Sequence, residues 1–185
     1  RARTPRDMMD AGVRVIYQEL NLVPELSVAE NLFLGREPRR RRLGGVIDWP
    51  EIYRQCEAAL RPFGLKIDPR TKIGRLGVAY QQIVEIAKAV SCRAQVVVMD
   101  EPTSALTGQE AEKLFQIVRE LRAQNVSLIY ISHRLDEIHE IADRVTVLRD
   151  GRRVVTAGRH ELSSDQIIRQ MVGRHQPDNV CRHRH

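Results

Sequence analysis

The chain has 185 residues, 42% hydrophobic and 29% charged, with 30 Lys and Arg against 24 acids for a net charge of +6. That is enough for a globular domain with a real core and argues against a disordered chain. No apolar run reaches the length of a membrane span, no basic-then-apolar signal opens the sequence, and Cys56, Cys92 and Cys181 are too few and too scattered for a disulfide framework or a zinc-ligand spacing.

The expectation is a cytosolic chain with free thiols. Much of the positive excess sits in Arg36 to Arg42 and at the termini, a pattern usual for solvated loops. It also suits acidic lipid headgroups or nucleic acid, but aromatics are 4% and none is interleaved, so no nucleic acid partner is expected.

In chain order, Val13 to Tyr17 alternates as a strand and runs into Gln18, after which Asn21 to Pro24 breaks the pattern. A neutral amide at a strand end can touch a phosphate or a metal-bound water, and equally can be merely solvated. Ser27-Val28-Ala29-Glu30 has the spacing of a capping box and opens a short helix carrying Leu32 and Phe33. Asp48-Trp49-Pro50-Glu51 opens another, with Ile52, Cys56, Ala59 and Leu60 at helical spacing, closed by Pro62 and Gly64. The Arg-rich segment with Gly44-Gly45 between them reads as an exposed connection.

Thr71 to Val78 is a turn-rich loop, and from Tyr80 the residues Ile83, Ile86, Ala87 and Val90 form one helix face. Gly77 and Ala79 at its entry are small enough for backbone N–H groups to approach an anion; tight packing would favour the same residues. The run from Gln95, apolar from Val96 to Met99, then ends in Asp100 and Glu101 before Pro102. Apolar residues at every position predict a strand buried on both faces in a parallel sheet, where ligands gather at the strands' carboxyl ends. Paired carboxylates there suit a nucleoside triphosphate, one supporting Mg²⁺ and one taking a proton from water, while an acidic turn is the alternative.

Thr107-Gly108-Gln109-Glu110 caps a helix with Leu114, Ile117, Val118 and Leu121 on one side, and strand Val126 to Ile131 leads to Ser132-His133-Arg134. His133 therefore falls on the sheet edge of Asp100, able to bond a terminal phosphate or to serve structurally. A helix through Leu135, Ile138 and Ile141 follows. Arg144 to Leu148 and Arg153 to Thr156 flank an Asp150-Gly151 turn, and Ser163 to Val172 is a last capped helix. The tail from Arg174 has no periodicity, and its three histidines and Cys181 offer only weak metal ligation. Alternating strands and helices predict an α/β nucleotide-binding core with a helical insertion between Gln18 and Gln95.

These pieces resemble an ATP-binding cassette (ABC) ATPase. Gln18, Leu76 to Gln82, Val96 to Glu101, Ser104 to Thr107 and Ile131 to His133 look like its Q-loop, signature, Walker B, D-loop and H-loop, in order. The wording is similar to the first cassette of bacterial ribose, xylose and galactose importers from about Ala11 to Arg174, notably in Glu19 to Pro38 and Val84 to Ala89. The resemblance implies an α/β, P-loop NTPase-like core with residues 1–20 ending its first part, 21–92 as helical subdomain, 93–173 as catalytic core and 174–185 as tail.

It further implies ATP and Mg²⁺ as cofactors: Asp100 and Gln18 on the metal, Glu101 polarising water, His133 on the γ-phosphate and Gln18 sensing it. Gly77, Val78, Ala79, Gln81 and Ser104 would contact nucleotide shared with a second cassette, and residues 20–34 would face the membrane-spanning permease. A sugar-binding protein would be an indirect partner, and the cytoplasmic face of the bacterial plasma membrane the location. The family's Gly-x-x-x-x-Gly-Lys-Ser/Thr loop is missing, since none of Lys66, Lys72, Lys88 and Lys113 follows a glycine. The expectation is a partial cassette lacking its first strands and Walker A loop, unable to hydrolyse ATP alone. Gly77 stands where the commonest signature has serine, and Ala79 where it has glycine.

Overall fold

The computed structural model describes residues 4–40, 45–92 and 94–173. The chain divides into two compact units, Arg1–His133 and Arg134–His185.

In the first unit, Thr4 opens helix α1 (Pro5–Asp10) with a reciprocal cap: the Asp7 amide donates to the Thr4 hydroxyl at 3.2 Å, and the Thr4 amide to Asp7 Oδ2 at 3.0 Å. Pro5 is tolerated because the first helical N–H has no intrahelical acceptor. Gly12, at φ +80°, turns the chain into strand β1 (Val13–Ile16), and its carbonyl accepts from the Gln95 amide at 2.8 Å. A Cβ at Gly12 would stand 3.1 Å from Gln95 Cγ, so both the dihedral and the space call for glycine.

Helices α2 (Val28–Phe33), α3 (Trp49–Leu60) and α4 (Val78–Ser91) pack together. Their core holds Val28, Leu32, Ile52, Cys56, Leu60 and Val84, all at 1% exposure or less. The Ser27–Glu30 box closes as expected: the Ser27 hydroxyl donates to Glu30 Oε2 at 2.6 Å and the Ser27 amide at 2.7 Å, and together they hold that carboxyl below its usual range. The segment read as a plain connection contains a short antiparallel pair, β2 (Arg39–Arg40) with β3 (Val46–Ile47), pinned by an Arg40–Asp48 ion pair at 2.8 Å.

Strand β4 (Val96–Asp100) lies between β1 and β5 (Ser127–Ile131) in a three-stranded parallel sheet. Helix α5 (Gly108–Ala123) makes the crossover from β4 to β5. The expectation that β4 is buried on both faces fails. Ile16, Val97 and Met99 are at 1% exposure or less, but on the alternate face Val15 is 42% and Ile129 53% exposed, and Val96 and Val98 are half-buried. The described elements close one side of the sheet only, so an unbroken apolar strand shows half-exposure at every second residue.

In the second unit, α6 (Leu135–Ile141) precedes the antiparallel hairpin β6 (Arg144–Arg149) and β7 (Arg152–Gly158). Asp150 and Gly151 both have positive φ, the conformation a two-residue hairpin turn demands. Helix α7 (Ser164–Val172), capped by Ser163 and Gln166, buries Ile167 against Val145 and Val147. No helix among the described residues is long and apolar enough to cross a membrane. The weak metal site considered in the tail lies outside the described residues.

Candidate functional site

Three parallel strands bring their carboxyl ends to one edge, each with a different chemical load. Ile16 pairs with Met99 and Asp100 with Ile131, so Gln18, Asp100–Glu101 and His133 all leave the sheet on that edge. Pairing continues past β4, because the Glu101 amide donates to the Ile131 carbonyl at 2.9 Å.

Beyond that bond the side chains meet: His133 Nδ1 lies 3.0 Å from Glu101 Oε1. An ionised carboxylate only accepts, so Nδ1 carries the hydrogen and Nε2 is left as the ring's other polar atom. Glu101 itself is held at φ +44°, in the left-handed region that a residue with a Cβ avoids, at a cost of about 1–3 kcal/mol. A tight turn holds it there, with the Ser104 amide donating to the Glu101 carbonyl at 3.1 Å and the Leu106 amide to Thr103 at 3.1 Å. Neighbouring Pro102 and Thr103 are buried, so the strain sits on a firm base that aims the carboxylate at the imidazole.

Asp100 is half-buried beside this pair, while Gln18 is exposed and reaches the same edge by register rather than by contact. Ser104 is exposed in the turn after Glu101. Gly77, Val78, Ala79 and Gln81 sit on a separate element, the start of α4. Gly77 is its N-cap and makes no side-chain hydrogen bond, so the first amides of the helix lack a capping oxygen. Gln81 turns back instead of outward: Nε2 donates to Leu76 O at 2.8 Å and Ile73 O at 3.3 Å. Ala79 is buried, and Val78 is exposed.

Two residues escaped the reading of the sequence. Glu85, on α4, is 6% exposed and accepts from the Asn21 amide at 3.2 Å. Burial pushes its carboxyl above the usual range, opposed by the Asn21 N–H and by Lys88. Asn31, fully buried, accepts from the Val23 amide at 2.7 Å and donates to Val23 O and Ser27 O at 3.0 Å, fixing the segment after Gln18. An acid or amide inside an otherwise apolar helix face was the available signal for both.

The residues present fit one end of a metal nucleotide. Asp100 offers the hard oxygen that Mg²⁺ takes, but among the described residues no three His, Cys, Asp or Glu side chains form a metal cage. Mg²⁺ suits such a site, since it is usually held by one or two carboxylates plus phosphates and water. Glu101 and His133 suit a terminal phosphate and its attacking water. For the inner phosphates the fit fails, because no lysine follows a glycine anywhere in the 185 residues.

A family model described as ABC transporter matches residues 2–104, more than half of the sequence. The chain belongs to the ABC transporter family. This ABC transporter chain is 50% identical over 182 residues to a ribose import ATP-binding protein of Rubrobacter xylanophilus, covering 98% of the chain and 35% of that protein. It is 52% identical over 171 residues to a xylose import ATP-binding protein of Moorella thermoacetica, covering 92% and 33%. The chain thus spans about a third of the length of these curated relatives.

Among solved structures, a nucleotide-free ATP-binding cassette from an ABC transporter matches with a TM-score of 0.71 at 24% identity, over 93% of this chain and 69% of that one. An ATP-binding cassette of an ABC transporter in its ADP conformation matches with 0.68 at 22% identity, over 90% and 67%. At such identity the likeness carries the fold: the α/β architecture expected from the sequence is that of these cassettes.

Proposed function

We propose that this ABC transporter chain forms the water-activating end of an ATPase subunit that drives bacterial sugar uptake. The observation that carries the reading is the Glu101–His133 contact at 3.0 Å, made on neighbouring strand ends by a glutamate held in a strained backbone conformation. A solvated acidic turn has no need of that strain.

Mg·ATP, when bound, supplies the electrophilic terminal phosphoryl group. Asp100 and Gln18 would hold the metal, directly or through its water. Glu101 is oriented through Oε1 by His133, and its second oxygen takes the proton of a nearby water. With Nδ1–H given to Glu101, the Nε2 of His133 would donate to a terminal phosphate oxygen in the imidazolium form, in which both ring nitrogens carry hydrogen. Gly77, Val78, Ala79 and Gln81 at the uncapped start of α4, with Ser104, would meet nucleotide shared with a second cassette, where free amides favour an anion.

Residues 20–34 would dock on the permease at the cytoplasmic face of the membrane, with a sugar-binding protein on the far side. Exposed Val23 and Leu34 give that segment apolar contact area. The second reading is a docking module without hydrolysis. Expressing the complete coding region with its permease, and following ATP-dependent sugar uptake into vesicles, separates the two. Uptake abolished by Asp100→Asn supports the ATPase, and uptake indifferent to that change supports the docking module.

A further inference from the structure

The loop after β1 is tied to α4 at two ends. Near α4's start, the Ile73 amide donates to Leu26 O and the Gly74 amide to Pro24 O, both at 3.0 Å, while Gln81 holds Leu76 and Ile73 from the helix side. Two turns further along α4, Glu85 accepts from the Asn21 amide, 64 residues distant in sequence and three residues beyond Gln18. Gln18 therefore lies on a short span between the end of β1 at Ile16 and a fixed point at Asn21.

Packing does not require an acid at position 85. Its neighbours Val84, Ile86 and Ala87 are fully buried apolar residues, and an apolar side chain would fill the same space without desolvating a carboxyl. Among the described residues, Glu85 Oε2 is buried with no hydrogen-bond partner, and so is Nε2 of Gln82, one turn earlier on the same helix. Among the described residues, Oε1 is the engaged oxygen, and its partner is the Asn21 backbone. A buried polar group held at this expense, for one bond to one loop, points to a task at that loop.

We propose that Glu85 is a positioning residue that ties the Gln18 loop to α4, so that displacement of Gln18 at the strand edge is passed to the amino end of α4 and to the segment 20–34. The role rests on the proposed ATPase reading, but the tie itself does not. The partner of the Glu85 side chain, Asn21, is not among the residues assigned to nucleotide or metal.

The test uses the complete ATPase with its permease in vesicles, comparing Glu85→Met, which keeps volume and removes the acceptor, with Glu85→Gln, which keeps an acceptor oxygen. Hydrogen exchange of the segment around Asn21 reads the tie directly. Expected for E85M are exchange at Asn21 at least about tenfold faster, permease-stimulated turnover down by about tenfold, and KM for ATP within about twofold. E85Q should match wild type in all three. Glu85→Ala gives the same reading should E85M fail to fold.

Unchanged exchange and turnover in E85M overturn the proposal. So does a parallel loss of basal turnover, stimulated turnover and ATP affinity, the mark of a structural role alone. A wild-type complex that hydrolyses no ATP overturns the proposed function itself, whereas an active wild type beside an unchanged E85M overturns only the role of Glu85.

Discussion

His133 Nδ1 and Glu101 Oε1 stand 3.0 Å apart although 32 residues separate them, because β4 and β5 are adjacent and in register up to the Asp100–Ile131 pair. The imidazole thereby fixes the direction of a carboxylate that the turn has already bent out of ordinary backbone geometry. His133→Ala should lower ATP hydrolysis by the complete ATPase about 10²-fold or more, the usual scale for losing a positioned acid–base partner, with the fold intact. Steady-state hydrolysis together with nucleotide binding checks this, and loss of turnover should exceed loss of affinity.

Gly77 caps α4 at φ −63° and ψ 155°, ordinary extended backbone for any residue, and the nearest heavy atom to a Cβ there is Tyr80 Cδ2 at 4.0 Å. Gly77→Ser therefore fits without displacement, and its hydroxyl can take one of the free amides of the first turn. Thermal unfolding should show a gain of a few tenths of a kcal/mol, the typical difference between serine and glycine at an N-cap. Hydrolysis by the assembled pair of cassettes should rise as well, because the same hydroxyl becomes available to a phosphate.

Glu85 predicts a pH dependence of stability. Its folded carboxyl holds its proton more tightly than the unfolded chain does, chiefly through burial. The corresponding stabilisation is complete below the unfolded glutamate value of about 4.3 and is lost as pH rises through the higher folded value. Glu85→Gln cannot ionise, so it should melt above wild type near neutral pH, and the gap should close toward pH about 4. Thermal melts of the complete ATPase across that range measure it.

Val15, Ile129 and Ile131 leave an apolar sheet face open among the described residues. The 185-residue chain produced by itself should therefore bind a hydrophobic dye strongly, and Ile129→Thr should reduce that binding while changing stability by no more than about 0.5 kcal/mol. Dye fluorescence and a urea titration on the same samples read both quantities.

The helix starts were legible wherever a short polar side chain stood three residues before Glu or Gln, because the cap is a local bond: Ser27, Asp48, Thr107 and Ser163 all open helices in the structure. Helix α1 has the same reciprocal cap with Asp7 in place of Glu or Gln, and it is too short to show an apolar period. At the strand edge, the sequence placed His133 on the edge of Asp100 and Glu101, because each follows the carboxyl end of a strand. It could not show the positive φ of Glu101, which comes from a turn closed by bonds to its own carbonyl and to β5. Glu85 stayed hidden because its partner is a backbone amide 64 residues away, with no side chain to mark it. The half-open face of β4 was misjudged for a related reason: an apolar strand records what its faces tolerate, and coverage depends on which other elements lie over them.

The most direct measurement is single-turnover ATP hydrolysis by the complete ATPase carrying Glu101→Gln, with nucleotide binding measured on the same preparation. Binding should stay within about twofold of wild type while hydrolysis falls by about 10²–10⁴-fold, since the amide keeps the shape of the side chain and gives up its capacity to take a proton. Hydrolysis at the wild-type rate would contradict the assignment of Glu101 as the group that activates water.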